Sequence, residues 1–238
     1  MNQLLEHERA QIKMGHLSYF GAFAQQRPSA FLSFNRLLNA HNLDTIIEVG
    51  SHDFGTSTMF ALYCYLSRRP AVCDNPNEPV LYKNRTHHRS PKSFYTYDIV
   101  VRDQTAAAVI EELGGVFEQR DTLTDQTSID HIKSIVSNPA SGTVPFLCDG
   151  GNKKREMELY SPALKSGDFI MCHDWAYDQE AFEKNKREGI WGSWETRMKN
   201  GEGPDQQFGI EEILNRNEIE QVYAEEFDQA VWFCGRKK

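Results

Sequence analysis

The sequence predicts an α/β fold: a doubly wound, mainly parallel sheet with helices on both faces and a terminal antiparallel strand. Three observations predict it. From Thr45 onward, short apolar or β-branched runs alternate with stretches of helical periodicity. The runs end in a glycine or in polar residues, as strands do when they deliver the chain to a turn. The last two runs follow one another directly, which suits a closing strand pair.

The elements follow in order. Residues 1–13 carry a short helical pattern, and Phe31 to Ala40 carry another, opened by Pro28-Ser29. Residues 1–44 are therefore expected to be N-terminal helices packing on a core domain at 45–238. Thr45 to Gly50 reads as strand and glycine turn, and Thr56 to Ser67 as helix. A long connection rich in Pro, Asn and basic residues then leads to a strand at Ser93 to Ile99. Thr105 to Leu113 is helical, Val116 to Glu118 a strand, Ser128 to Val136 helical, and Val144 to Cys148 a compact apolar strand. Lys153 to Leu164 reads as one helix and Asp168 to Cys172 as a strand ending at His173-Asp174. A helix near Phe208 to Asn215 and strands near Glu220 to Ala224 and Gln229 to Cys234 complete the chain.

Composition narrows the function. A 238-residue chain can bury one substantial α/β core. No apolar run approaches the roughly 20 residues that span a bilayer, and acids and amides stand where a signal peptide would be apolar; the expectation is a cytoplasmic protein without a membrane partner. The five cysteines, Cys64, Cys73, Cys148, Cys172 and Cys234, form no C-x-x-C pair and read as reduced core thiols. A net charge of −8 argues against general nucleic-acid binding. The segment 69–92 with its neighbour Arg68 is the exception, its Lys and Arg outnumbering Asp74 and Glu78, and it reads as a solvated basic insertion or an anion-binding segment.

In open α/β sheets, ligands bind outside the carboxyl ends of the strands where strand order reverses. The strand ends here supply Glu48 with Gly50, then Asp98, Asp121, Asp149, and His173 with Asp174. Such an acidic rim repels a nucleotide phosphate. It suits a cationic cofactor with a free ribose diol, which a carboxylate can accept in bidentate fashion, and S-adenosylmethionine has both features.

The segment Ile46-Ile47-Glu48-Val49-Gly50-Ser51-His52-Asp53-Phe54-Gly55-Thr56-Ser57 resembles the first motif of class I S-adenosylmethionine-dependent methyltransferases. Phe146 to Gly151, continuing through Leu164 to Asp174, resembles the fourth and fifth strand region of one subgroup. That subgroup holds the metal-dependent catechol-type and sugar O-methyltransferases and the cephalosporin hydroxylase-like proteins. The resemblance implies a Rossmann-like sheet, with Glu48, Gly50, Ser51, His52, Asp53, Gly55 and Ser57 around the methionine part of the cofactor. It implies Asp98 on the ribose hydroxyls, Asp121 near the adenine, and Asp149 against the cofactor. The chain departs from the pattern in three places. Four residues separate Gly50 from Gly55, Asp98 lies 48 positions after Gly50, and Asn152 stands where relatives often carry a histidine.

Rival readings are weighed against the same residues. Gly50-x4-Gly55-Thr56-Ser57 has phosphate-loop spacing but lacks its lysine, and there is no G-x-G-x-x-G. Asp149 and Asp174 could hold magnesium or another divalent cation, which would orient substrate oxygens; alternatively Asp149 touches only the cofactor and Asp174 caps the next helix. His173 or Lys153 could take a proton from an acceptor, alongside Asp149, or His173 could be structural. Trp175, Tyr177, Trp191 and Trp194, within an acceptor-side segment at 175–208, could stack on the acceptor or pack in the core. His87-His88 read as plain loop or as metal ligands. The function expected is methyl transfer to the hydroxyl of a small molecule that is sugar-like, aromatic or anionic, in a chain free to form a homo-oligomer. A non-methylating hydroxylase-like relative and a cofactor-binding regulatory module with an anionic partner are the alternatives.

Overall fold

The computed structural model describes residues 17–19, 22–24, 26, 28–68, 93–175, 183, 187, 210–228 and 230–238. The expected pattern at 1–13, the basic insertion with Cys73 and His87-His88, and most of 175–208 with Tyr177, Trp191 and Trp194 lie outside them.

Strands β1 (Leu17–Tyr19) and β2 (Ala22–Ala24) pair as an antiparallel hairpin, which periodicity did not reveal. Helix α1 (Pro28–Ala40) starts on a proline at its first turn, where the missing N–H is harmless. It turns Phe34, Leu37 and Leu38 inward at helical spacing and leaves Leu32 73 % exposed.

The main sheet has seven strands. They are β3 (Thr45–Val49), β4 (Ser93–Asp98), β5 (Val116–Gln119), β6 (Pro145–Cys148), β7 (Phe169–His173), β8 (Ile219–Gln221) and β9 (Trp232–Lys237), in the order β5-β4-β3-β6-β7-β9-β8. The first five pair in parallel, and β9 runs antiparallel between β7 and β8. This is the doubly wound, mainly parallel sheet that the sequence predicts, with its antiparallel end. Strand β3 is buried along its whole length, as a central parallel strand of β-branched residues should be.

Helices α2 (Gly55–Arg68), α3 (Gln104–Glu112), α4 (Gln126–Ser137), α5 (Lys153–Tyr160), α6 (Glu211–Arg216) and α7 (Ala224–Asp228) cover the two faces. Alternation along the strands sorts the core in two. Ile46, Leu147, Met171 and Trp232 face α1, α2, α3 and α7, whereas Ile47, Phe146, Ile170 and Phe233 face α4, α5 and α6. The starts of α3 and α4 are fixed by Asp103 and Asp125, whose carboxylates accept two backbone N–H groups each.

Several expected boundaries move, among them the last strand, read as Gln229 to Cys234 and found at Trp232–Lys237. The helix read as Lys153 to Leu164 stops at Tyr160 and continues as a 3-10 turn over Ser161–Ala163, because Pro162 lacks the donor and crowds the preceding turn. The strand read as Glu220 to Ala224 ends at Gln221; Tyr223 takes a positive φ of 55°, and the chain turns into α7 instead. Among the described residues no helix is long and apolar enough to cross a membrane.

Candidate functional site at the strand carboxyl ends

Strand order reverses between β3 and β6, and both strands deliver polar residues to the same rim. Gly50 sits at the seam. Its φ is +91°, its N–H donates to the Tyr97 carbonyl of β4 (2.8 Å), and a Cβ there would lie 2.4 Å from the backbone of Asp149 and Gly150. Only glycine fits, and here the close approach is to the end of β6. The loop then folds through His52 and Phe54, both at positive φ, into α2. Phe54 is fully buried against Phe117 and anchors the loop.

Glu48 points to the α2 face, at the register position of Thr96 on β4. It is 1 % exposed and receives hydroxyl donors from Ser57 and from Thr96, the latter at 2.8 Å. Burial pushes its pKa up to about 8; the two hydroxyls partly oppose this, and the Asp149 and Asp98 carboxylates add to it. Asp98, two residues beyond Thr96 on the same face, takes the His52 backbone N–H on Oδ2 (2.8 Å) and the Val100 N–H on Oδ1 (3.0 Å). The glycine loop is thereby tied to the end of β4, and each carboxylate oxygen keeps a further lone pair. Nearby, the buried Ser51 hydroxyl has no hydrogen-bond partner among the described residues. His52 and Asp53 approach one another at 3.0 Å on the rim. Glu48, Gly50, Ser51, His52, Ser57 and Asp98, read separately from the sequence, thus gather around one loop, with Asp53 and Gly55 completing its path. Asp121 stays apart: its carboxylate accepts the Leu123 and Thr124 N–H groups and the Thr124 hydroxyl, closing its own turn, and these hydrogen bonds hold its pKa low.

Across the seam lies a second cluster. Asp149 Oδ1 meets His173 Nδ1 at 2.7 Å, and its Oδ2 accepts from Gln26 Nε2 at 3.1 Å. Gln26 is oriented from behind, because the buried Trp232 indole N–H donates to its carbonyl oxygen at 2.8 Å. The Trp232 ring also stacks on His173, with centroids 4.8 Å apart. Lys153 Nζ lies 3.2 Å from Asp174 Oδ2, and His173 Nε2 lies 3.9 Å from Asp174 Oδ1. Burial disfavours the charged form of His173, but the Asp149 and Asp174 carboxylates outweigh it and hold the pKa above the ordinary histidine value. An ionised Asp149 can only accept, so Nδ1 carries the hydrogen and Nε2 is the atom able to take another proton.

Glu156, which the sequence reading passed over, lies beneath this cluster. It is fully buried, its Oε2 accepts the Gly150 N–H at 3.2 Å, and its Oε1 has no hydrogen-bond partner among the described residues. Burial lifts its pKa to about 7, with Lys153 pulling the other way. A Cβ on Gly150 would collide with it at 2.2 Å, so the absence of a side chain at Gly150 makes room for the acid. Asn152, standing where relatives often have a histidine, caps α5 by accepting the Arg155 N–H. Trp175 packs into the core against Phe233. Cys64, Cys148, Cys172 and Cys234 are buried free thiols, and burial raises the pKa of the last three.

No protein-family model and no curated protein sequence matches the chain. Solved structures do match it by shape. The apo form of CmcI superposes with a TM-score of 0.53 at 13 % identity, covering 93 % of this chain and 76 % of that one. A caffeoyl-CoA O-methyltransferase-type protein from Staphylococcus aureus gives 0.52 at 12 % identity, over 98 % and 91 % of the two chains. The fold is the class I methyltransferase fold. At such identities the likeness extends to the architecture, and the site has to speak through its own residues.

Proposed function

We propose that this chain is an S-adenosylmethionine-dependent methyltransferase that alkylates a hydroxyl of a small molecule. The observation that carries the reading is the gathering of Glu48, Asp98 and the glycine loop at the β3 and β4 ends. Among the described residues Asp98 and Glu48 meet only hydroxyl and backbone donors there, and the buried Ser51 hydroxyl lies on the same loop. A cationic ligand with a ribose diol answers both needs: it offsets the uncompensated charge and offers two hydroxyls to Asp98. Asp98 would hold the ribose, and the Gly50–His52 backbone with Ser51 would face the methionine part. Bound there, the cofactor supplies a methyl group already activated by its sulfonium.

The work left to the protein is alignment and removal of one proton. The acceptor oxygen must lose its hydrogen as it takes the methyl group. His173 Nε2 is the candidate recipient, with Asp149 fixing the tautomer through Nδ1 and Trp232 and Gln26 fixing the ring and the carboxylate. Turnover should therefore rise with pH through the raised His173 pKa, because only the neutral ring can accept.

Calorimetric titration of S-adenosylhomocysteine into the wild type and Asp98→Ala tests the reading. The substitution is expected to weaken binding about 30-fold or more, since the acceptor of the ligand's hydroxyls is lost, and to lower the unfolding midpoint modestly because the His52 and Val100 N–H groups lose their acceptor. Equal affinities would remove the ribose assignment, and no binding to the wild type would remove the proposal. Ligand binding without release of S-adenosylhomocysteine in the presence of acceptors would favour the non-methylating relative.

A further inference from the structure

The sequence resemblance includes metal-dependent enzymes, and the strand ends do present two aspartates, so the fit of a divalent ion can be tested on the side chains themselves. An ion bridging Asp149 and Asp174 needs open carboxylate oxygens that converge on one point, at roughly 2.0–2.6 Å from each. The arrangement is different. The His173 ring lies between the two carboxylates, its Nδ1 2.7 Å from Asp149 and its Nε2 3.9 Å from Asp174. One nitrogen faces each acid, so the ring separates the pair and cannot join them as a third ligand of the same ion. Asp174 Oδ2 is 3.2 Å from the Lys153 ammonium, and Asp149 Oδ2 accepts from Gln26. Lys153 is 8 % exposed and Asp174 3 %, so this is a buried pair, and displacing the ammonium would strand a charge. Among the described residues, no three His, Cys, Asp or Glu side chains are gathered to hold a metal.

We infer that the acceptor half of this site works without a divalent cation: the His173 ring stands between Asp149 and Asp174, and the Lys153 ammonium occupies the Asp174 oxygen that a bridging ion would need. The inference rests on the methyltransferase reading for its consequence, but its geometry stands on these four residues alone. In a metal-dependent site, the ion holds the acceptor oxygen and lowers its proton affinity. Here Lys153, a buried cation anchored at the start of α5, is the protein group able to offer positive charge at the same rim, with His173 beside it. The sulfonium reaction balances without a metal: the oxygen–carbon bond forms, the carbon–sulfur bond breaks, and the acceptor proton leaves to His173.

Mn2+ titration of the wild-type chain, followed by electron paramagnetic resonance, tests this directly, and S-adenosylhomocysteine calorimetry in excess chelator is run beside it. The expected result is no stoichiometric Mn2+ site, with the nucleoside bound equally well in chelator. One tightly bound Mn2+ per chain that Asp174→Asn abolishes would overturn the inference and leave the methyltransferase proposal standing. Absent nucleoside binding would overturn the proposal and leave the metal result readable. The reverse experiment replaces the excluding side chains: Lys153→Met with His173→Asp should raise Mn2+ affinity about tenfold or more by opening a carboxylate-lined gap. Lys153→Met alone serves if the double variant fails to fold. A folded variant that gains no affinity would show that these side chains are not what keeps the ion out.

Discussion

The two halves of the rim handle their carboxylates in opposite ways. At the β3 and β4 ends, Glu48 and Asp98 are held by neutral donors, the hydroxyls of Ser57 and Thr96 and the N–H groups of His52 and Val100. At the β6 and β7 ends, Asp149 and Asp174 are matched by His173 and Lys153. Neutral donors stabilise an anion without cancelling its field, so the first half stays short of positive charge, whereas Glu48, pushed up to about 8 chiefly by burial, gives up its proton only in alkaline solution. The second half is compensated from within. A site divided this way attracts a cation on one side and supplies protein cations on the other. That division is the one the proposed methyl transfer would use.

The strongest way to break the comparison is to wedge the halves apart. Gly50 touches the Asp149–Gly150 backbone so closely that a single methyl group must displace one strand end or the other. Gly50→Ala combines this clash with a left-handed φ and is expected to cost about 2–5 kcal/mol, together with loss of S-adenosylhomocysteine binding. Urea denaturation followed by circular dichroism measures the first, calorimetry the second. Wild-type stability in this variant would mean that the two strand ends do not meet at Gly50.

A smaller effect separates the halves by pH. In the unfolded chain Glu48 and Glu156 lose their protons near the ordinary value of 4.5, but in the fold they do so only at about 8 and about 7. Between those values the unfolded state binds fewer protons than the native one, so rising pH favours unfolding. The contribution of these two groups is therefore full below pH 4.5 and declines up to about pH 7 for Glu156 and about pH 8 for Glu48, at no more than about 1.4 kcal/mol per pH unit for each. Glu48→Gln, which keeps the shape and cannot ionise, should flatten the upper part of that decline and exceed the wild type in stability above pH 8. Parallel pH profiles for the two proteins would show that Glu48 is not buried as described.

What could be read from the sequence was local. The strands announce themselves by β-branched runs, and Glu48, Gly50, Asp98, Asp149, His173 and Asp174 stand out because each ends such a run in a polar residue. What the residues do to one another was not local. Gln26 lies outside any periodic segment and reaches Asp149 across 123 positions; Trp232 reaches Gln26 across 206. Neither has a neighbour in sequence that hints at its partner. Glu156 was hidden for another reason, since an acid in the first turn of a helix ordinarily faces water. The aspartate pair was legible as a candidate metal site, but the ring between the two carboxylates was not, because sequence gives positions on a rim and no distances. The break at Pro162 was present in the sequence, and there periodicity outweighed a residue that should have ended the helix.

The mildest test asks whether the acceptor half can be disturbed alone. Gln26 donates to Asp149 and accepts from the buried Trp232 indole, so Gln26→Ala should cost about 1–3 kcal/mol of stability, most of it from the indole N–H left without an acceptor. Its effect on His173 is more specific. With one donor fewer, the Asp149 carboxylate holds the imidazolium more strongly, and the His173 pKa, already raised, should move further up in a proton NMR titration. Because Gln26 bonds to the β6 and β7 side of the seam, S-adenosylhomocysteine affinity should stay within about twofold, consistent with independence of sites that share no partner. Should the affinity collapse while the histidine titration stays put, Gln26 would belong to the cofactor half, and the division of labour between the two strand pairs would have to be redrawn around Asp149.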